Sequence, residues 1–378
     1  MIQPARVYLD HNATSPLRPE ARAAVILALD TAGNPSSVHA EGRKARRIIE
    51  DARERVAALV GAPPENVVFT SGATEANNWV LAAEWKQLFI PKIEHEAILA
   101  PAQRSPANVI QISSDENGVS RIEELAETVL LTQKITRPSC AALQMANNET
   151  GALQPVLELA AFCREHNISV HTDAVQAAGR VPIDMEKLGV DTLSLSSHKI
   201  GGPAGVGALI FRDGIDLPPW IVGGGQERRR RSGTENVSGI AGFGAAAACA
   251  LREVADIEKC RTLRDELEYN LKAITPQAEI MAAGTKRLPN TSCFSLPGTS
   301  AETLLIKLDL AGIAVSSGAA CSSGKVSASH VLSAMRMRDE LSRGAIRVSL
   351  GWNSSKSDIE TFLRVWRRIE NSDRRTAA

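Results

Sequence analysis

Short apolar segments alternate with amphipathic segments along the first 250 residues. The apolar segments have the length and β-branched content of buried strands, and we predict strands at residues 67–70, 109–112, 140–145, 168–172, 192–196 and 207–211. The amphipathic segments predict helices at residues 75–85, 121–131 and 155–166. Strands that alternate with helices are typical of a mainly parallel sheet covered on both faces. We therefore predict an α/β fold whose ligand site lies at the carboxyl ends of its strands.

The pattern changes near residue 250. A charged amphipathic stretch predicts one long helix over residues 251–272. Beyond it we predict strands at residues 292–296 and 345–350 and helices at residues 301–311, 329–337 and 357–370. These segments indicate a large domain at residues 15–250, with a mainly parallel mixed sheet. They also indicate a smaller α+β domain built from residues 1–14 and 251–378.

Composition and charge exclude several classes of protein. Hydrophobic residues make up 44% of the chain and charged residues 23%, which is typical of a globular protein with a sizeable core. Lys and Arg number 43 and Asp and Glu also 43, so no overall charge attracts nucleic acid or an anionic membrane. No apolar run approaches the roughly 18 residues of a membrane span, and the first residues have no signal-peptide core. The six cysteines form no closely spaced pair. We expect a cytoplasmic protein with reduced thiols and no intrinsic metal.

Three features place polar chemistry at predicted strand ends. Lys199 follows the strand at residues 192–196, and burial would lower its pKa and suit it to form a Schiff base, although a surface lysine in a turn fits the same pattern. Asp173 follows the strand at residues 168–172 and could cap a helix, pair with a cation or hold the protonated ring nitrogen of pyridoxal phosphate. Residues 71–74, Ser-Gly-Ala-Thr, lie between a strand and a helix, where backbone N–H groups can bind a phosphate. Ordinary structural turns have the same composition.

Together these features resemble pyridoxal-phosphate enzymes of the class V aminotransferase group, and further motifs narrow the resemblance to cysteine desulfurases. Those motifs are Tyr8-Leu9-Asp10-His11-Asn12-Ala13-Thr14, Gly33-Asn34-Pro35-Ser36-Ser37, residues 69–77, Asn147-Asn148-Glu149-Thr150-Gly151, His198-Lys199, residues 223–234 and Ser316-Ser317-Gly318-Ala319-Ala320-Cys321-Ser322. The resemblance covers nearly the whole chain, from Tyr8 to about Thr361. It implies a pyridoxal 5'-phosphate-dependent transferase of fold type I that works as a homodimer.

The resemblance also implies roles for individual residues. The implied catalytic residues are Cys321, Lys199 and His95. The implied cofactor-binding residues are Ala73, Thr74, Asn148, Asp173, Gln176, Ser196, His198, Lys199 and Thr234, the last of these reaching the phosphate of the neighbouring subunit. Arg347 and Asn148 would bind the substrate. Without the resemblance, His95 fits an ordinary structural histidine and Arg347 a paired strand arginine.

Cys321 lies in a stretch of small residues. Eleven of the fourteen residues from 316 to 329 are Ser, Gly or Ala. Such a stretch cannot bury apolar area, and we expect it to be a mobile loop with a reactive thiol. The other five cysteines lie in periodic, apolar segments and are interpreted as structural.

The predicted activity is the pyridoxal-phosphate-dependent removal of sulfur from L-cysteine. It yields L-alanine and a persulfide on Cys321, which the loop delivers to an iron–sulfur scaffold or another sulfur-acceptor protein. On a scaffold, the persulfide would be a transient ligand of a [2Fe–2S] cluster. A selenocysteine lyase, an aminotransferase and a docking protein without catalysis are the alternatives. The sequence does not distinguish housekeeping cluster assembly from nitrogenase maturation.

Overall fold

The computed structural model describes residues 6–132, 135–256, 258–317 and 329–377. Its strands are β1 (Val7–Tyr8), β2 (Val67–Thr70), β3 (Gln87–Pro91), β4 (Asn108–Ile112), β5 (Ser139–Ala142), β6 (Ser169–Asp173), β7 (Thr192–Ser196), β8 (Gly207–Phe211), β9 (Glu279–Ile280), β10 (Thr291–Ser295), β11 (Ile313–Ala314), β12 (Ser316–Ser317) and β13 (Ile346–Ser349). Its helices are α1 (Pro19–Leu29), α2 (Ala40–Leu59), α3 (Ala73–Leu81), α4 (Glu96–Arg104), α5 (Ile122–Thr132), α6 (Val156–Glu165), α7 (Met185–Leu188), α8 (Val237–Glu253), α9 (Glu258–Ile274), α10 (Ala301–Leu310), α11 (His330–Ala334), α12 (Asp339–Arg343) and α13 (Lys356–Ala377).

A seven-stranded sheet positions the site. Its strand order is β2-β8-β7-β6-β5-β3-β4. Strand β8 runs antiparallel to both of its neighbours, and the remaining pairs are parallel. The carboxyl ends of β2, β3, β5, β6 and β7 therefore meet at one edge. The predicted α/β class with a mainly parallel mixed sheet is confirmed.

Two large apolar cores hold the chain. The first packs α2, α6 and α8 against the seven-stranded sheet, with Ile49, Phe69, Leu193 and Phe243 fully or almost fully buried. The second lies between the sheet β12-β13-β10-β9 and helices α9, α10 and α13. In it, the rings of Phe362 and Trp366 stack at 5.9 Å between centroids. The division into domains at residues 14 and 250 stays a prediction.

Two expectations about local structure were wrong. The single helix at residues 251–272 is instead the end of α8, a 3₁₀ turn at Val254–Asp256 and then α9, with α8 and α9 bent by 76°. The chain turns there because α8 packs in the first core and α9 in the second. Several elements were not predicted, among them strand β3 and helices α1, α2, α4 and α8. Ser316 and Ser317, predicted to begin the small-residue loop, instead form β12 and pair with β13, and residues 318–328 of that predicted loop lie outside the described residues.

Within the described ranges, no single helix is long and apolar enough to cross a membrane. In the same part of the chain, one bent pair of helices, α8 and α9, reaches that length and composition together.

Candidate active site

A cleft of about 530 Å³ opens where the carboxyl ends of the parallel strands meet. Ten of the predicted site residues line it: Ala73, Thr74, His95, Asn148, Asp173, Gln176, Ser196, His198, Lys199 and Arg347. They come from six separate stretches of sequence. Five of these stretches lie at the carboxyl edge of the seven-stranded sheet, and the sixth, with Arg347, comes from β13. Thr234 does not line this cleft, and Cys321 lies outside the described residues.

Lys199 provides an amine in the cleft. It sits in a 3₁₀ turn, Ser197–Lys199, directly after β7, and its Nζ donates to the carbonyl oxygens of Asn12 and Ala13 at 2.6 and 2.9 Å. Burial lowers the pKa of Lys199 to about 7, and the positive charges of Arg347 and Arg180 add to the effect. A large fraction of the amine is therefore neutral near pH 7, and a neutral amine is nucleophilic.

Asp173 ends β6 and faces the cleft with a fixed carboxylate. Its Oδ2 accepts from Asn77 Nδ2 at 2.7 Å, and its Oδ1 accepts from the backbone N–H of Val175 at 3.0 Å. Strands β6 and β7 are adjacent and parallel, so Asp173 and Lys199 lie at the same edge. This arrangement allows the carboxylate to hold a cationic ring nitrogen near the amine.

The amino end of α3 supplies the third part of the site. Helix α3 begins at Ala73, directly after Gly72, and both residues line the cleft. A side chain at Gly207 would place its Cβ 2.6 Å from Gly72, so the glycine in β8 lets that strand pass close to the turn. Backbone N–H groups and the helix dipole at such an end attract a phosphate.

Two histidines line the cleft. His95 caps α4, and its Nδ1 accepts from the N–H of Ala97 at 3.1 Å, which leaves Nε2 for proton exchange. Its surroundings lower the pKa of His95 by desolvation, an effect that the Asp173 carboxylate opposes. His198 contacts Thr14 Oγ1 through Nδ1 at 3.1 Å, and burial lowers its pKa to about 4. Both rings are therefore mostly neutral near pH 7.

Arg347 lies in β13 and reaches the cleft from the second core. Its guanidinium donates to Asp10 Oδ1 at 2.8 Å and to the carbonyl of Asn148 at 3.0 Å. Its Nε is buried and has no hydrogen-bond partner. A buried N–H without an acceptor is costly, and a substrate carboxylate would satisfy it.

The sequence analysis gave no role in the site to two residues that contact Lys199 and Arg347. Asn12 donates to the carbonyl of Asn148 and to Thr291 Oγ1, while its own carbonyl accepts from Lys199 and Gln176. Asp10 pairs with Arg347. Both lie in the motif at residues 8–14, which contributed to the resemblance but was given no role in the site. Their proximity to Lys199 and Arg347 depends on long-range contacts that no local pattern reports.

Thr234 is exposed on a loop beside the cleft. A bridge between Ile221 and Arg231 folds this loop, and Arg231 forms an ion pair with Glu75 at 2.9 Å. Because Glu75 also accepts from the N–H of Ser71, the loop is tied to the amino end of α3.

The five cysteines within the described residues are poorly suited to nucleophilic chemistry. Cys140, Cys163, Cys249 and Cys293 are buried, and Cys260 is half-buried. Burial raises the pKa of Cys163 and Cys293 to about 12 and that of Cys260 to about 11. Thiols with such pKa values carry almost no thiolate near pH 7.

Comparison with known proteins gives a consistent result. Residues 7–362 match the aminotransferase class-V family. The chain is 39% identical over 380 residues to the cysteine desulfurase IscS of Dictyoglomus turgidum, with 96% of this chain and 94% of that protein covered. It is 41% identical over 372 residues to a cysteine desulfurase of Cereibacter sphaeroides, with 95% and 94% covered.

The crystal structure of a NifS-like protein from Rickettsia africae superposes with a TM-score of 0.90 at 37% identity, covering 97% of this chain and 99% of that one. Class-V aminotransferases depend on pyridoxal 5'-phosphate, and the predicted fold type I is confirmed by this superposition. The chain therefore belongs to the class-V aminotransferase family and, within it, to the cysteine desulfurases.

Proposed function

We propose that this protein removes sulfur from L-cysteine with the residues of the cleft and stores it on Cys321. The observation that carries the proposal is the presence of the Lys199 amine, with its pKa lowered to about 7, beside the Asp173 carboxylate in one cleft. The cysteine desulfurase relatives support the choice of substrate.

The cleft has the donors and acceptors that pyridoxal 5'-phosphate requires. Lys199 is a partly neutral amine for covalent attachment, Asp173 is a fixed carboxylate for the ring nitrogen, and the start of α3 at Ala73 and Thr74 is a phosphate site. Ser196 and His198 flank the same end of the cleft, and Gln176 and Asn148 line its walls. When bound, the cofactor supplies an electron sink for the charge that develops on the substrate Cα.

The chain's own residues then have separate tasks. Arg347 binds the substrate carboxylate through its unpartnered Nε, assisted by the amide of Asn148. Lys199 accepts the Cα proton, because its amine is partly neutral at pH 7. His95 exchanges protons through Nε2. Asp173 directs its carboxylate, held by Asn77 and the N–H of Val175, toward the ring nitrogen.

Cys321 supplies the acceptor for sulfur. Its thiolate attacks the substrate sulfur, the S–Cβ bond breaks, and L-alanine leaves once its carbon skeleton has regained protons. A reducing thiol or an acceptor protein removes the outer persulfide sulfur. We propose delivery to an iron–sulfur scaffold, where the persulfide is a transient ligand of a [2Fe–2S] cluster, in a cytoplasmic homodimer whose Thr234 reaches the neighbouring subunit.

In the test, ³⁵S-labelled L-cysteine is added to the protein carrying pyridoxal 5'-phosphate, with and without a scaffold protein. We expect L-alanine and label on Cys321, with sulfide released once a reducing thiol is added, and the variant Cys321→Ser should lose the label while the control Cys260→Ser keeps it. An aminotransferase would instead form a keto acid, and a selenocysteine lyase would act on selenocysteine but hardly on cysteine. Normal sulfide release by Cys321→Ser would contradict the proposal.

A further inference from the structure

The carboxylate of Asp173 stands at the end of a buried row of hydrogen bonds. Thr192 Oγ1 and His171 Nδ1 are 2.9 Å apart, and His171 Nε2 and Asn77 Oδ1 are also 2.9 Å apart. Asn77 Nδ2 then donates to Asp173 Oδ2 at 2.7 Å. His171 and Asn77 are 0% exposed and Thr192 is 3% exposed, so water does not substitute for these partners.

The direction of every bond in this row follows from chemistry. A carboxylate only accepts, so Asn77 must turn its amide N–H toward Asp173 and its carbonyl toward His171. Burial lowers the pKa of His171 to about 4, so the ring is neutral and has one N–H. That N–H must be at Nε2 to reach the Asn77 carbonyl, which leaves Nδ1 to accept from the Thr192 hydroxyl. All three donors therefore point toward Asp173.

The row also connects the three parts of the cleft. Asn77 lies on α3, one turn after Ala73, where the phosphate site begins. His171 lies in β6, which ends at Asp173, and Thr192 lies in β7, which leads to Lys199. The hydrogen bonds thus fix the helix that would hold the phosphate against the two strands that bear the carboxylate and the amine.

We propose that His171 and Asn77 are positioning residues that fix the charge and orientation of Asp173 toward the ring nitrogen of the cofactor. The inference rests on the proposed cofactor role of Asp173 but not on the sulfur chemistry of Cys321. Its physical basis is that donors aligned toward a carboxylate in a low-dielectric site stabilise the negative charge. Removing the donor at His171 leaves the Asn77 carbonyl unpaired and free to rotate toward Asp173.

The test compares His171→Leu, which removes the donor, with His171→Gln, whose amide can still donate to Asn77 and accept from Thr192. The readout is the visible absorbance of the bound cofactor against pH. A ring nitrogen that holds its proton less firmly removes positive charge from the ring, so the lysine-linked nitrogen retains its proton to higher pH. We expect the pH midpoint of this absorbance change to rise by about one pH unit in His171→Leu. In His171→Gln it should return toward the parent value.

A second readout is the rate of cofactor release. We expect it to increase about 10-fold in His171→Leu, the lower end of the effect that losing an outer hydrogen-bond partner has on affinity at metal sites. Asn77→Ala gives a second route if His171→Leu does not fold, and it should shift the midpoint in the same direction. Unchanged midpoints and release rates in the variants that fold would overturn the proposal. Because the cofactor titration needs no cysteine, failure of the desulfuration proposal would be seen separately, as absent sulfide with a normal titration.

Discussion

The hydroxyl of Ser329 donates a hydrogen bond to the buried carboxylate of Glu149, the residue that follows Asn148 in the cleft wall. Ser329 also caps α11 by accepting from the N–H of Leu332 at 3.0 Å. His330, the next residue, contacts the carbonyl of Glu94 at 2.9 Å, directly before His95. The carboxyl side of the segment that contains Cys321 is therefore attached to the two stretches that supply Asn148 and His95.

Glu149 should make stability fall as pH rises. Burial raises its pKa from 4.5 to about 7, opposed by Ser329 and Arg347, so the folded chain retains a proton that the unfolded chain releases. Stability from this group is fully present below about pH 4.5 and is lost by pH 7, a change of about 3 kcal/mol.

The variant Glu149→Gln removes the ionisation and still accepts a hydrogen bond from Ser329. Urea unfolding of both proteins at pH 5 and pH 8 should show the variant gaining relative to the parent at pH 8. A difference that is the same at both pH values, as expected for the exposed control Glu158→Gln, would refute the assignment.

Lys199 should capture the cofactor with an unusual pH dependence. Only the neutral amine reacts, and with its pKa lowered to about 7 the neutral fraction is nearly complete by pH 8. The rate of cofactor uptake by protein stripped of it should rise through pH 7 and then level off, when followed by absorbance in stopped flow. An ordinary lysine would accelerate until about pH 10. Continued acceleration above pH 9 would show that the amine is not perturbed.

Lys199 should also be the attachment point. Borohydride reduction followed by peptide mapping should place the label on Lys199, and Lys199→Ala should reduce turnover about 10³-fold or more. The matched control is Lys259→Ala, an exposed lysine beside a smaller cavity, which should retain activity. A label on another lysine would disprove the assignment.

Cys321→Ser should separate binding from sulfur transfer. Arg347 and Lys199 remain, so L-cysteine should still change the cofactor spectrum, while sulfide release should fall to background because a hydroxyl stores no sulfur. A spectrum that no longer responds to cysteine would mean that Cys321 acts in binding and not only in transfer.

The short stretch of chain between β12 and Cys321 should limit how far Cys321 travels. Ser317 is fixed in β12, and the four residues from it to Cys321 span at most about 14 Å. This bound is tighter than the roughly 20 Å expected for a free fourteen-residue Gly/Ser-rich loop. Inserting four Gly/Ser residues after Gly318 should slow persulfide formation. The same insertion before Ser329 should leave the rate of persulfide formation within about twofold of the parent rate. Radiolabel on Cys321 in single-turnover reactions measures both. Equal effects from the two insertions would contradict the limit.

Val222 should contribute to the proposed homodimer. It is 86% exposed on the loop that also bears Thr234. Val222→Glu should shift the protein toward monomer in analytical ultracentrifugation and loosen cofactor binding, while Leu310→Glu, an equally exposed control on α10, should not. A dimer that is unaffected by Val222→Glu would place the interface elsewhere.

The α/β class and the strand ends near Asp173 and Lys199 could be predicted from the sequence, because apolar periodicity and the turn residues after a strand are local properties. Its motifs were specific enough to identify the family. Other features depend on long-range contacts, which local patterns do not encode. The chain breaks between α8 and α9 because α8 packs in the first apolar core and α9 packs in the second. The contacts of Asn12 and Asp10 join residues more than 130 positions apart, and the row from Thr192 to Asp173 depends on α3 lying over β6 and β7. The pKa of Lys199 depends on burial and on Arg180 and Arg347, which only the folded chain brings near it.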